Sequence, residues 1–309
     1  MPVGCCLPSL DLKDVSLSLV RPKCPRFKSG SGEPNSESVY LKTAAETFDS
    51  KPTWITLQRE ARSLGEPLLQ PLVNRVLLEH RTFESSLSSL LSQKLFESHE
   101  SPAWQKEFDL ILQQQPLIAA CAVRDLHAIQ TRDPATEQLL IPYLFFKGFH
   151  ALQAHRFAHQ LWHQGRRSLA AHMQSQISEK LGIDIHPAAQ IGSGVFLDHG
   201  TGIVIGETAV VGDNVTILHG VTLGGTGKVT GDRHPKVRYD VLIGANAQLL
   251  GNISIGPHAT VGASSVVLKD VPSHATVAGV PARQVSKQTE NSAPDELHDA
   301  SDALVAKAS

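Results

Sequence analysis

The sequence has little cysteine. Cys5, Cys6, Cys24 and Cys121 make up the whole complement, and none follows Cys121. Residues so placed form neither a disulfide framework nor a spaced zinc site, and they favour a reducing compartment. Aromatic residues are only 5% of the chain, which argues against a base-stacking surface. Neither sign of charge prevails: 28 Lys and Arg stand against 30 Asp and Glu, a formal net charge of -2. That balance gives no footprint for nucleic acid and no acidic solvating tail. No apolar run approaches the ~18 residues needed to span a bilayer, so no membrane partner is expected.

The 309 residues, 41% of them apolar, are enough to bury a core and to make two domains. Residues 1–45 read as a leader, either disordered or an organelle transit segment. Arg21, Lys23, Arg26 and Lys28 suit a transit segment; Asp11 and Asp14 do not, because such segments are poor in acidic residues. A cytoplasmic location is expected, with plastid or mitochondrion as the alternative. Within the leader, residues 29–39 (SGSGEPNSESV) have linker composition.

Residues 46–182 carry helical texture. Leu68, Leu72, Val76 and Leu77 recur at helical spacing, and apolar stripes run through Phe83–Leu95 and Trp104–Ile118. One long helix is expected from about Tyr143 to Gln164 and another ending near Leu181. This region reads as a helical domain for oligomerisation that also supplies part of the substrate site. Residues 286–309 read as a flexible tail.

From residue 183 to 285 the pattern changes to hexads. IVIGET, AVVGDN, VTILHG and VTLGGT run from Ile203, and VLIGAN, AQLLGN, ISIGPH, ATVGAS and SVVLKD run from Val241. The third position is always aliphatic: Ile205, Val211, Ile217, Leu223, Ile243, Leu249, Ile255, Val261 and Val267. Two inward residues per hexad make a short flat strand, turn formers make a corner, and three sides close one coil of a parallel β-helix. Two irregularities break the rule. About two extra residues fall near Gly200-Thr201-Gly202, beside Asp198 and His199. The excursion GKVTGDRHPKVRYD then separates the two runs and carries Arg233 and His234. A regular scaffold departs from its own pattern chiefly at functional sites.

Counting about 18 residues per coil puts His199 at a corner, with position 181 beneath it and Asp184 just round that corner. An imidazole titrates near ~6.5 and can accept a proton at neutral pH, and a carboxylate on its other nitrogen would fix its tautomer. His219 is expected to stack one coil above His199. The four histidines His186, His199, His219 and His234 raise the question of zinc. No short histidine spacing supports a site and this region lacks cysteine, so no metal is expected. The run GDRHPK reads as a binding loop, with Arg233 able to form a bidentate pair with a carboxylate.

Several segments together resemble the serine O-acetyltransferase family of hexapeptide-repeat acyltransferases: RDPAT at 132–136, KGFHALQAHR at 147–156, DIHPAAQIG at 184–192, LDHGTGIVIGETAVVG at 197–212, VTLGGTGK at 221–228, GDRHPK at 231–236 and VAGVPAR at 277–283. The hexads and VPAR fit many acyltransferases; the RDP, LDH and GDRHPK motifs are more specific. The resemblance implies an α+β chain, a helical domain followed by a left-handed parallel β-helix. It implies acetyl transfer from acetyl-CoA to the L-serine hydroxyl, giving O-acetylserine and CoA, the first step of cysteine biosynthesis. His199 would be the general base and Asp184 its orienting partner. Asp133 and Asp198 would hold the substrate ammonium, and Arg233 and His234 its carboxylate. Gly225 and Ala245 would line the acetyl-CoA channel, with Arg283 near its phosphates.

No tightly bound cofactor is implied; acetyl-CoA is a co-substrate. The family forms trimers, often paired into hexamers, with active sites between chains. Two departures stand out. Gly200 replaces the alanine of the family's DHATG, and the sequence given ends ALVAKAS rather than in the isoleucine that many relatives insert into O-acetylserine sulfhydrylase, which puts that partner in doubt. The alternatives are an acyltransferase for homoserine or a sugar, and a zinc-dependent trimeric β-helix hydratase. Two acidic residues and an arginine suit an α-amino acid better than a sugar.

Overall fold

The corners of the β-helix show why its sequence looks as it does. His199, Asn214, Asp240, Asn246, His258, Ser264 and His274 all take positive φ between 53° and 60°. Asn, Asp and His tolerate this region better than most side chains, so short polar residues recur at the bends. The computed structural model describes residues 49–287 except Val229. The expected leader (1–45) and nearly all of the expected tail lie outside the described residues.

Among the described residues, seven principal helices come first. They are α1 (Ser50–Ser63), α2 (Phe83–Leu95), α3 (Ser101–Gln114), α4 (Leu117–Arg132), α5 (Leu140–Phe145), α6 (Lys147–His163) and α7 (Arg167–Leu181). An irregular helical stretch at 67–78 joins α1 to α2. Asp49 and Thr82 cap α1 and α2 by accepting from backbone N–H groups, at 2.9 Å from Lys51 and 3.2 Å from Ser85. The stripe expected from Trp104 to Ile118 is two helices, because Pro116 cannot continue α3. The single helix expected from Tyr143 to Gln164 is also two. Phe146 turns extended between α5 and α6, and this aims the start of α6 at the β-helix.

α6 is buried nearly all round, and it carries polar residues into that interior. Arg156 Nη2 donates to Asp125 Oδ2 at 2.6 Å and to the Gly192 carbonyl at 2.7 Å. Gln153 donates to the same carboxylate at 3.0 Å, and the Val195 N–H donates to Asp125 Oδ1 at 2.9 Å. The buried charges are thus paired and hydrogen-bonded, and they fasten α4 and α6 to the first coil.

Fourteen strands, β1 (Asp184–Ile185) to β14 (Ala275–Gly279), wind a left-handed parallel β-helix with three flat sides. The first side is β1-β4-β7-β10-β13, the second β2-β5-β8-β11 and the third β3-β6-β9-β12-β14. A last strand, β15 (Ala282–Lys287), returns antiparallel on β14, a hairpin that the hexads do not announce. All nine third-position aliphatics are buried, as are Ile203, Val215 and Val221 at first positions. Ser265 is the polar first-position residue, and its Oγ accepts from the Gly279 N–H at 3.2 Å. Helices and coils share one continuous apolar core.

The register corrects the coil count at the decisive place. Asp184 pairs with Val204, Gln190 with Val210 and Phe196 with Thr216, a step of 20 residues. The extra pair lies in the corner 198–202, where the Gly202 N–H reaches the Gly182 carbonyl at 2.8 Å. Position 181 therefore does not lie beneath His199. The next step on the first side is 18, Val204 with Thr222, and steps that take in the loop are 26, as in Thr222 with Gln248.

Candidate active site

His199 stands at the corner between β3 (Phe196–Leu197) and β4 (Val204–Ile205), its side chain 79% exposed. Its ring meets that of His219, one coil above, edge-on at 6.0 Å, so the expected stack is present. Asp198 Oδ1 lies 4.0 Å from His199 Nε2. Asp198 is partly buried, and burial pushes its carboxyl above the usual range. His199 draws it back down, Asp133 raises it again, and His219 lowers it. Asp133, the residue that ends α4, therefore reaches this corner electrostatically. Its own oxygens accept from the Ala135 N–H at 2.9 Å and the Thr136 hydroxyl at 2.7 Å, which shapes the RDPAT turn. Asp133, Asp198, His199 and His219 form one group, at the His199 edge.

Asp184 is the correction. It does not hydrogen-bond His199; its Oδ1 accepts from Gln174 Nε2, on α7, at 2.7 Å. Its side chain leaves β1 toward α7. An open hollow of about 390 Å³ lies beside Asp184, lined by Gln174, Ser178 and Glu179 among others but not by His199.

Arg233 and His234 occupy a different edge, between the first and second sides, where their loop returns to β8 (Lys236–Val237). Arg233 Nη2 donates to Glu207 Oε2 at 2.7 Å, and this bond holds the Glu207 carboxyl below its usual range. Thr208 Oγ1 accepts from the Arg233 N–H at 3.0 Å and the His234 N–H at 3.2 Å. Lys236 Nζ closes the loop by donating to Asp232 Oδ1 at 2.5 Å and to the Thr208 carbonyl at 2.8 Å. His234 is buried over Gly206, where a Cβ would lie 2.1 Å from its ring. Burial, then Arg233 and Lys236, lowers the His234 pKa, so the ring is neutral at neutral pH. His186, on the same edge two coils below, is also lowered by burial.

The proposed acetyl-CoA contacts scatter. Gly225 lies beside Arg233, with its Cβ position 3.4 Å from that side chain. Ala245 sits one coil above His219, where its carbonyl accepts from the Ser264 N–H at 2.7 Å. Arg283 is exposed on β15, its guanidinium bonded to the Ala282 carbonyl at 2.9 Å. Among the described residues no group of three or more His, Cys, Asp or Glu side chains is arranged to hold a metal ion.

A family model described as "Serine acetyltransferase, N-terminal" matches residues 53–154. The serine acetyltransferase of Salmonella typhimurium is 50% identical over 241 residues, covering 76% of this chain and 87% of that protein. The chain belongs to the serine acetyltransferase family.

It is an acyltransferase. Two solved structures of serine acetyltransferases match it closely. The soybean protein complexed with serine is 49% identical with a TM-score of 0.74, covering 76% of this chain and 98% of that one. The Brucella abortus protein in complex with coenzyme A is 46% identical with a TM-score of 0.75, covering 77% and 96%. For a serine acetyltransferase, sequence reasoning missed Glu207, Thr208 and Gln174. Glu207 and Thr208 looked like ordinary corner residues of the hexad IVIGET. Their signal was position: they occupy the corner that the departing loop must fold back upon.

Proposed function

We propose that this chain transfers the acetyl group of acetyl-CoA to the hydroxyl of L-serine at a site built from the His199 edge of one chain and the Arg233 edge of a neighbour. The carrying observation is the half-buried Asp198, with Asp133 in its field, beside an exposed imidazole. Two carboxylates there suit the ammonium of an amino acid, and Asp198 is oriented by the same corner that presents His199. Arg233 and neutral His234 supply donors for the carboxylate at the other end of the substrate.

His199 takes the hydroxyl proton as the serine oxygen attacks the thioester carbonyl. Backbone N–H groups stabilise the tetrahedral oxyanion, each donor contributing on the order of 3 kcal/mol. The thiolate of CoA leaves and regains the proton from the imidazolium, so no covalent acyl-enzyme forms. Asp184 is kept as the orienting carboxylate on the strength of the family resemblance. In that role its side chain would exchange Gln174 for His199.

Two separate edges support a trimer. They are separated by β4, two residues at about 3.3 Å each, or roughly 7 Å of strand. Three prisms around a common axis can bring unlike edges together, which a cyclic trimer does at every interface. Cytoplasmic residence is the accompanying proposal, based on the acidic residues Asp11 and Asp14. A reporter fused behind residues 1–45 and carried into an organelle would overturn it. Engagement of O-acetylserine sulfhydrylase is tested by co-purification with the sulfhydrylase.

The acceptor is tested by following thiol release from acetyl-CoA with serine, threonine, homoserine and a hexose in parallel. Serine should be preferred by kcat/KM. Preference for homoserine or the hexose would move the assignment to another acceptor within the acyltransferase fold.

A further inference from the structure

Thr208 satisfies every hydrogen-bonding capacity of its hydroxyl within the GDRHPK loop. Its backbone N–H points at His234 Nδ1 at 3.1 Å. A backbone N–H can only donate, so Nδ1 is the unprotonated nitrogen and the ring proton lies on Nε2. Thr208 Oγ1 lies 2.9 Å from the same Nδ1 and can donate to it, with the Asp232 carboxylate as a second acceptor for its one proton. The two lone pairs of Oγ1 then accept the N–H groups of Arg233, at 3.0 Å, and of His234, at 3.2 Å. The ring cannot turn aside, because it packs on Gly206 at a distance that leaves no room for a Cβ. The guanidinium is fixed from the same corner by Glu207 at 2.7 Å.

We propose that Thr208 is a positioning residue for the carboxylate end of the acceptor: it holds His234 as the Nε2–H tautomer and ties the Arg233 backbone to the same oxygen, so that both side chains face the ligand as donors. The inference rests on the reading that Arg233 and His234 bind the acceptor carboxylate. In the other tautomer the Nε2 lone pair would face that carboxylate and repel it. The arrangement therefore selects an anionic oxygen acceptor group and disfavours an amide or amine at the same place. The charged groups around the ring are Arg233, Lys236, Glu207 and His186, and they leave its neutral form in place.

The test pairs kinetics with spectroscopy on the full-length protein. Thr208→Val removes the hydroxyl and its three bonds but keeps the backbone N–H. It should raise the KM for serine about tenfold or more while kcat and the KM for acetyl-CoA change little, the pattern of lost substrate binding. Thr208→Ser restores the hydroxyl and should recover most of the loss. In ¹⁵N-histidine spectra of the wild-type protein, the His234 ring should show Nδ1 unprotonated and Nε2 protonated. An unchanged serine KM in a folded Thr208→Val protein overturns the proposal. So does an Nδ1–H ring in the wild type, which decides the matter even if the valine variant does not fold. Arg233→Ala and His234→Ala separate the two layers. If both leave the serine KM unchanged, the carboxylate reading itself fails; if both raise it and Thr208→Val does not, only the role of Thr208 fails.

Discussion

Two carboxylates compete for the role beside His199, and substitution separates them. Asp198 lies 4.0 Å from the imidazole, while Asp184 is bonded to Gln174. If Asp184 orients the base during turnover, Asp184→Asn lowers kcat by about tenfold or more with little effect on the serine KM, and Asp198→Asn does the reverse by weakening the ammonium clamp. His199→Ala should cost at least ~100-fold in kcat, and steady-state kinetics of the three variants reads all of these effects. Normal turnover without His199 would remove the base from the mechanism.

The electrostatics of Asp198 give a pH dependence with a definite sign. Burial first, and Asp133 as well, raise its pKa. Lowering the pH therefore discharges Asp198 before an ordinary carboxylate, and serine binding should weaken at a higher pH than the usual Asp range. Asp133→Asn removes one of the raising charges, so the acid limb should move to lower pH. Calorimetric titration with serine across pH reads the limb free of any effect on catalysis. An acid limb that stays in place would separate Asp133 from this corner. His199, Asp198 and Asp133 were legible in the sequence because a frame shift and the RDP motif mark them. The bond from Asp184 to Gln174 was not, because it joins a strand to a helix residue that no periodicity sets against it.

α6 sets the His199 corner by close contact with β3. Gly148 meets the carbonyl oxygen of Leu197 where its Cβ would be, at 2.0 Å, and Leu197 immediately precedes Asp198 and His199. Only glycine lets the helix lie this close to β3. Gly148→Ala must push the helix from the coil, at a cost of roughly 1–3 kcal/mol of stability as an overpacking change, and activity should fall because the His199 corner is displaced. Denaturant unfolding alongside the thiol-release assay checks both, and an alanine variant with wild-type stability would show that helix and coil are not so tightly apposed. The helical stripes and the hexads were read from periodicity alone, since an apolar face leaves that trace. The break at Phe146 was not, because the apolar pattern runs on through it. Asp125, Gln153 and Arg156 look like surface residues in sequence, and only packing shows that they are a buried fastening.

At the scale of the molecule, the candidate functional groups lie on two edges of one prism, and in the proposed site each edge would grip one end of a zwitterion. Asp133, Asp198 and His199 share the edge after the third side; Glu207, Thr208, Arg233 and His234 share the edge after the first. The side between them turns outward residues such as Val204, 40% exposed, toward a neighbour or solvent. A trimer that joins unlike edges makes a strong statement about mixtures. His199→Ala chains keep an intact Arg233 edge, and Arg233→Ala chains keep an intact His199 edge. Each homotrimer should be nearly inactive. Trimers co-assembled from equal amounts should regain about a quarter of wild-type activity, because one in four interfaces then pairs two intact edges. Assay of thiol release in the unfractionated co-expressed population measures this directly; mixed trimers isolated through distinguishable tags should regain about a third, because each holds one such interface in three. If all the groups acted within one chain, every site in the mixture would carry a defect, and activity would stay at the level of the separate variants.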